Sequence, residues 1–151
     1  MVNRQFIDWL ADELSPFANT VRKRGDIPDG SKQTYLFRTS SHPDLDHIVS
    51  WDDDGKKIPR DYDLDSTAAG VWYCCDGHMN RQSVSPRVGI SNKNESERPS
   101  VLVEMFEDKG FNPTYSVGAY MMYFPVDETE DVLSWMEGPI PGFERKWRLE
   151  K

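Results

Sequence analysis

An α+β fold with an antiparallel sheet follows from three observations. From Asp65 onward, helical and strand periodicity alternate in the order α-β-β-α-β-β-α. The strand-like pieces come in adjacent pairs, as hairpins do, rather than singly between helices. Before Asp65 only α-(β)-β-α is readable, so the front part looks like the back part without its first helix and first hairpin. That repeat rests on element order, since no sequence identity relates the two parts. The expected organisation is a partial half over residues 1–63 and a complete half over 64–151.

The elements follow in order. Asn3 caps a first helix whose apolar residues Phe6, Ile7, Leu10, Leu14 and Phe17 keep helical spacing, with Pro16 limiting its length. Arg22-Lys23-Arg24 ends a strand before the Gly-Asp-Ile-Pro-Asp-Gly turn at 25–30. Residues 33–41 alternate and are rich in β-formers. A short helix from Pro43 to Trp51 buries Leu45, Ile48 and Val49, and Asp52-Asp53-Asp54-Gly55 ends it. That acidic run lacks the spaced ligands and closing Glu of a calcium loop. The loop with Pro59 marks the internal boundary. Asp65 or Ser66 caps the next helix. Two strand pieces then lie within 78–92, interrupted around Pro86 and Gly89. A helix over 95–109, with Pro99 in its first turn, is stopped by Gly110. Residues 112–117 and 119–126 make a hairpin around Gly118. Asp127 caps a last helix carrying Val132, Leu133, Trp135 and Met136. The tail, Gly-Pro-Ile-Pro-Gly-Phe-Glu-Arg-Lys-Trp at 138–147, ends in a basic and aromatic cluster.

Composition narrows the function. A chain of 151 residues with 37% hydrophobic and 12% aromatic side chains is a folded domain, not a disordered polyelectrolyte. No apolar run reaches the roughly 18 residues of a membrane span, and no signal-peptide core opens the chain, so a cytoplasmic protein is expected. Cys74 and Cys75 are adjacent and serve neither as a mutual disulfide nor as a zinc site; two small helix residues is the plain reading. The five tryptophans read as buried apolar surface. The net charge of -8 sits awkwardly with nucleic-acid binding, which leaves a basic footprint. One reading is that no nucleic acid is bound. The other is a high-salt cytoplasm, of a halophilic archaeon or its virus, with basic residues confined to the working face. The excess of Asp over Glu and of Arg over Lys fits the second.

The chemistry-bearing stretch is Ala68-Ala69-Gly70-Val71-Trp72-Tyr73-Cys74-Cys75-Asp76-Gly77. Its small residues Ala68, Ala69 and Gly70 allow close approach of another helix. Asp76 opposes the helix macrodipole at the C-terminus, which a divalent cation would offset. A solvated helix-end acid is the alternative. His42 reads as a helix cap, and His78 as a solvated histidine.

The element order and this helix resemble one half of a LAGLIDADG homing endonuclease. Similar pieces run along most of the chain. They are the helix around Phe6 to Phe17, the Tyr-Leu-Phe-Arg-Thr-Ser-Ser-His-Pro junction at 35–43, the Gly-Lys-Lys-Ile-Pro loop at 55–59, the helix ending in Asp-Gly, and the ending at 139–147. The resemblance implies a saddle-shaped antiparallel sheet lying on double-stranded DNA, with helices on its outer face. It also implies two signature helices packed side by side, each giving one carboxylate to a divalent metal, expected to be Mg²⁺.

On this chain Asp76 matches the metal-binding, catalytic acid and Gly77 the glycine that completes the metal motif; Ala68, Ala69 and Gly70 form the helix interface. Cys74 and Cys75 stand where the family often has a further acid. Hydrolysis of a phosphodiester needs an activated water and neutralised charge on the attacking and leaving oxygens, which carboxylate-held metal ions supply. A β-ribbon fits the major groove. Arg81, Gln82, Ser83, Ser85, Arg87, Ser91, Asn92 and Lys93 are the expected recognition residues, with Arg38 on the corresponding front strand and Arg145 and Lys146 at phosphates. These residues also read as the solvent face of a sheet packed on one side. The chain carries one signature helix where a complete monomeric enzyme carries two. The expectation is therefore a site-specific endonuclease of intron or intein mobility working as a homodimer, or one subunit of a split enzyme with a second LAGLIDADG chain. The alternative is a non-catalytic DNA-binding or structural protein that kept the fold.

Overall fold

Asn3 caps helix α1 (Arg4–Glu13) as its position predicts, its side chain accepting a 3.1 Å hydrogen bond from the Phe6 amide. In the computed structural model, residues 3–25, 30–45, 57–81 and 85–149 are described. The chain divides into two units, Met1–Val49 with Pro141–Phe143, and Ser50–Ile140 with Glu144–Lys151.

In the first unit α1 buries Phe6 and Ile7, and the Phe6 ring meets Phe143 edge-on at 5.0 Å. Strands β1 (Arg22–Lys23) and β2 (Tyr35–Leu36) pair antiparallel, Arg22 opposite Leu36. The pairing continues past a discontinuity, with Ala18 opposite Thr39 and the Asn19 amide donating to the Arg38 carbonyl at 2.7 Å. Between the two registers Thr20 and Val21 face Phe37 alone, a one-residue bulge. The bulge breaks the expected 33–41 strand into a two-residue piece and an isolated bridge. Of the short helix expected from Pro43, only the 3₁₀ turn Pro43–Leu45 is described; Ile48, Val49, Trp51 and the acidic run at 52–54 lie outside the described residues.

The second unit carries the complete series: α2 (Ser66–Asp76), β3 (Gly77–Asn80), β4 (Arg87–Ser91), α3 (Pro99–Glu107), β5 (Thr114–Ser116), β6 (Met121–Tyr123) and α4 (Thr129–Trp135). The four strands form one antiparallel sheet in the order β3-β4-β6-β5. One face is dry: Met79, Val88, Ile90 and Met122 are buried with Ala69 and Tyr73 of α2, Leu102 and Phe106 of α3, and Val132 and Leu133 of α4. Helices on one face of an antiparallel sheet make this α+β.

Several boundaries differ from the sequence reading. Helix α3 starts at Pro99, because proline suits the first helical position and has no amide to donate. Glu95 is not on it. That side chain is 1% exposed, pairs with Arg98 at 2.8 Å and accepts from the Ile58 amide at 2.7 Å, while Arg98 donates to the Ile58 carbonyl. The Pro59 loop is thereby tied into the second unit, and the two units part at 49/50 rather than at 63/64. Gly110, at φ +88°, ends α3 in a Schellman motif, with the Phe111 amide on the Phe106 carbonyl at 3.0 Å. In the 114–123 hairpin the left-handed residue is Tyr120 (φ 50°), not Gly118; a 3₁₀ turn at Val117–Ala119 takes up the glycine. Asp127 does not cap α4: the helix follows Glu128 with no side-chain cap. No described helix is long and apolar enough to cross a membrane.

Candidate active site and nucleic-acid interface

Asp65, not Ser66, caps α2, accepting from the Ala68 amide at 2.7 Å. The helix then sorts its residues by face. Ala69 and Tyr73 point into the core, and Ala68 and Trp72 pack against it. Gly70 is buried under its own chain: a Cβ there would lie 3.0 Å from the Met136 carbonyl and 2.9 Å from Ile140 Cδ1. The Ala68-Ala69-Gly70 face expected to receive a second helix is therefore largely occupied by the chain's own core and the segment after α4. The open side of α2 is Thr67, Val71 and Cys75, four residues apart, with Asp76 exposed at its end.

The C-terminal end of α2 is held by the tail. Lys146 donates to the carbonyls of Tyr73 (2.9 Å), Cys74 (2.8 Å) and Gly77 (2.5 Å), and the Tyr73 hydroxyl donates back to the Lys146 carbonyl at 2.9 Å. Trp147 meets the Tyr73 ring edge-on at 5.1 Å and donates to the Leu133 carbonyl. The ammonium thus supplies the positive charge that the helix end calls for, and the macrodipole no longer argues for a metal ion. It also sets Lys146 apart from the phosphate contact expected of it, since three carbonyls take its three protons. Burial holds its pKa below the ordinary lysine value, with Cys74, Cys75 and Asp76 opposing.

Gly77 is required for space. Its backbone is extended (φ -86°, ψ 160°), and a Cβ would lie 2.6 Å from the Tyr73 carbonyl and closer still to that ring. Its own carbonyl, bound to an ammonium, is a poor cation ligand. Asp76 is thus the exposed carboxylate that this helix end offers to a cation. Among the described residues no three His, Cys, Asp or Glu side chains gather as a metal site. A divalent ion bound here would take Asp76 as its one carboxylate from this helix end. Cys74 does not substitute for an acid: burial pushes its thiol up to about 12. Burial, then Asp76, also raises the Cys75 thiol.

The other face of the sheet is open, and the register fixes what it presents. His78, Gly89, Tyr123 and Thr114 form one row across all four strands. Asn80 and Arg87 lie on one side of that row, and Ser91, Met121 and Ser116 on the other. Gly89 makes room for its neighbours, since a Cβ there would lie 2.8 Å from His78 Cε1 and 3.0 Å from the Tyr123 ring. The Arg87 guanidinium stacks on Tyr123 at 4.3 Å. His78, Met79, Asn80, Arg81 and Tyr123 line a recess of about 320 Å³. Burial first, then Lys146 and Arg87, lower the His78 pKa below 6.5, so its imidazole is neutral at pH 7.

Of the residues expected at DNA, Arg87 and Ser91 lie on this open face, and Ser85 lies in the bend before β4. Arg81 instead donates to the carbonyls of Arg145 (2.8 Å) and Arg148 (2.7 Å), clamping the tail. Asn92 shapes the turn after β4, its Oδ1 accepting from the Glu95 amide and its carbonyl from the Tyr115 hydroxyl. Lys93 lies 5.5 Å over the Tyr120 ring. Arg145 and Arg38 are exposed. Gln82 and Ser83 lie outside the described residues. The sequence reading missed His78, Asn80, Tyr123 and Thr114. Strand alternation applied to 77–80 and 121–123 would have found the first three, because every second residue shares a face.

A four-stranded antiparallel sheet backed by helices, with a carboxylate at the end of the helix that feeds its first strand, defines an α+β unit with one open polar face. Residues 1–131 match the LAGLIDADG DNA endonuclease family, and the chain belongs to that family. Membership makes it a DNA-binding nuclease of the homing type, from a family that pairs LAGLIDADG units and generally depends on divalent metal. No curated protein and no solved structure matches the chain.

Proposed function

We propose that the chain is one half of a metal-dependent, site-specific DNA endonuclease, with Asp76 its contribution to a shared metal centre. The observation that carries this reading is the exposed Asp76 carboxylate at the junction of α2 and β3, beside the open sheet face with His78 and Arg87. The second carboxylate comes from a second copy or from another LAGLIDADG chain, whose helix meets α2 along Thr67, Val71 and Cys75. Two such carboxylates would hold a divalent ion, which would supply the charge neutralisation that phosphodiester hydrolysis needs. The chain's own residues do the rest. Arg87 and Ser91 face base edges or phosphates, and neutral His78 offers a ring nitrogen that accepts a proton. Lys146 holds the helix end, and so Asp76, in place.

The test is cleavage of a randomised duplex library with Mg²⁺, read by sequencing the new ends. Wild type should cut at one sequence, and Asp76→Asn should cut at least about 100-fold less, because a metal-held charge is lost. Asp76 is exposed, so its replacement should leave the fold unchanged. Sequence-selective binding without cleavage by either protein would overturn the homodimeric enzyme and leave the split enzyme or the non-catalytic protein, which adding a second LAGLIDADG chain to the same assay separates. One observation already leans toward the non-catalytic protein: Cys74, which is buried, and Cys75, which is exposed, stand where the family often has a further acid beside Asp76.

A further inference from the structure

The chain leaves the second unit for three residues, Pro141–Phe143, and returns to it at Glu144. Within the first unit that short excursion is pinned. The Phe143 ring meets Phe6 edge-on at 5.0 Å, and Phe6 is fully buried. The Asn3 side-chain amide donates to the Gly142 carbonyl. Gly142 sits at φ +83°, and a Cβ there would run into the Asn3 side chain, so glycine is required at this approach.

Directly after Phe143 comes a 3₁₀ turn, Glu144–Trp147, whose contacts lie within the second unit. Lys146 takes the carbonyls of Tyr73, Cys74 and Gly77, and Trp147 lies against the Tyr73 ring. Arg81 holds the carbonyls of Arg145 and Arg148 on either side of that lysine. The residues so engaged, Tyr73, Cys74, Gly77 and Arg81, bracket Asp76 in sequence. Among the described residues no side-chain hydrogen bond holds Asp76 itself, so the backbone on either side of it decides where its carboxylate stands. Lys146 is three residues beyond Phe143. A 3₁₀ turn advances about 2 Å per residue and is held by its own hydrogen bonds. A flexible linker would let its two ends act independently; this connection has little slack.

We propose that the tail is a strap by which the first unit positions Asp76, with Phe143 and Phe6 as positioning residues and Lys146 as the link. The strap's role in cleavage rests on the endonuclease reading above, whereas its hold on the end of α2 does not. The first unit then serves the reaction by fixing a carboxylate that it does not itself carry.

The test follows the backbone carbonyl carbons of Tyr73, Cys74 and Gly77 by NMR in the full chain, because hydrogen bonds from an ammonium displace their signals. Lys146→Met supplies the uncapped reference. Phe143→Ala should move all three signals toward that reference, with the resonances of β5 and β6 unchanged as the control for folding. Phe143→Leu, which keeps an apolar anchor, should restore them most of the way. Unmoved carbonyl signals in a folded Phe143→Ala protein overturn the strap. Should that variant lose its fold, Phe6→Leu puts the same question from the other side of the ring contact: a shift at the three carbonyls supports the strap, and none overturns it. The second arm is single-turnover cleavage, with Mg²⁺, of the duplex that wild type selects from the randomised library. Phe143→Ala should slow the cut by roughly 10- to 100-fold while affinity for the duplex holds, the scale of a reacting group misplaced by about 1 Å. Weakened binding at an unchanged rate would overturn the positioning role. If wild type does not cut, the endonuclease reading fails, and the carbonyl signals still decide whether the strap exists.

Discussion

The two units of the chain handle their polar groups in opposite ways. The second spends its cations on its own architecture. Lys146 caps α2, Arg81 clamps the tail, Arg98 meets buried Glu95, and Arg87 lies on Tyr123. It also buries a contiguous core of three helices on one sheet face. The first unit buries Phe6 and Ile7 from one short helix, and Arg22 and Arg38 are exposed on its strand pair. Charge follows the same division: residues 1–49 have six Lys and Arg against seven Asp and Glu, and residues 50–151 have twelve against nineteen. An overall charge of -8 therefore hides a nearly balanced first unit and a strongly acidic second one.

That contrast can be broken experimentally, most forcefully at the end of α2. Gly77→Ala forces a methyl against the Tyr73 carbonyl, backbone that cannot swing away, and should cost about 3 kcal/mol in urea unfolding. A neutral result would mean that the extended turn into β3 relaxes, and that the scaffold is looser than described. Lys146→Met keeps the stem but removes the charge from three carbonyls; a loss of about 2 kcal/mol is expected. If Lys146 instead serves only DNA, stability should hold while affinity falls.

The smallest effect concerns pH. The folded state holds the His78 pKa below the ordinary 6.5, so in that interval the unfolded chain binds more protons. Stability contributed by neutral His78 is present above 6.5 and is lost as pH falls through the folded value. The slope of unfolding free energy between pH 7 and 5 should flatten in His78→Gln. A slope identical to wild type would remove His78 from the account.

Much of the second unit was legible in the sequence, because its core is periodic. Val101, Leu102, Met105 and Phe106 keep helical spacing, and Asp65 and Gly110 mark helix ends by side-chain chemistry that acts locally. What could not be read were long-range choices. Glu95 looks like the first turn of a helix until Ile58, 37 residues away, takes its carboxylate. Lys146 looks like a tail cation until the fold brings it to Tyr73. Gly70 looks like a bare helix face until Met136 and Ile140 cover it. Each depends on a partner distant in sequence, which periodicity cannot see. The bulge in the first unit is hidden for a similar reason, since register belongs to a pair of strands and not to either one.

The central claim is that the open sheet face beside Asp76 lies on DNA, and a tethered cleavage reagent tests it most directly. A hydroxyl-radical probe is attached at position 80, on that face, in Asn80→Cys with Cys75→Ser. A second probe is attached at position 104, on the exposed side of α3, in Glu104→Cys with the same change. Both are bound to a duplex recovered by selection from a random library, and the cuts are mapped. The account predicts strand breaks confined to a few base pairs from position 80 and none from position 104. Breaks from position 104, or from neither, would contradict it.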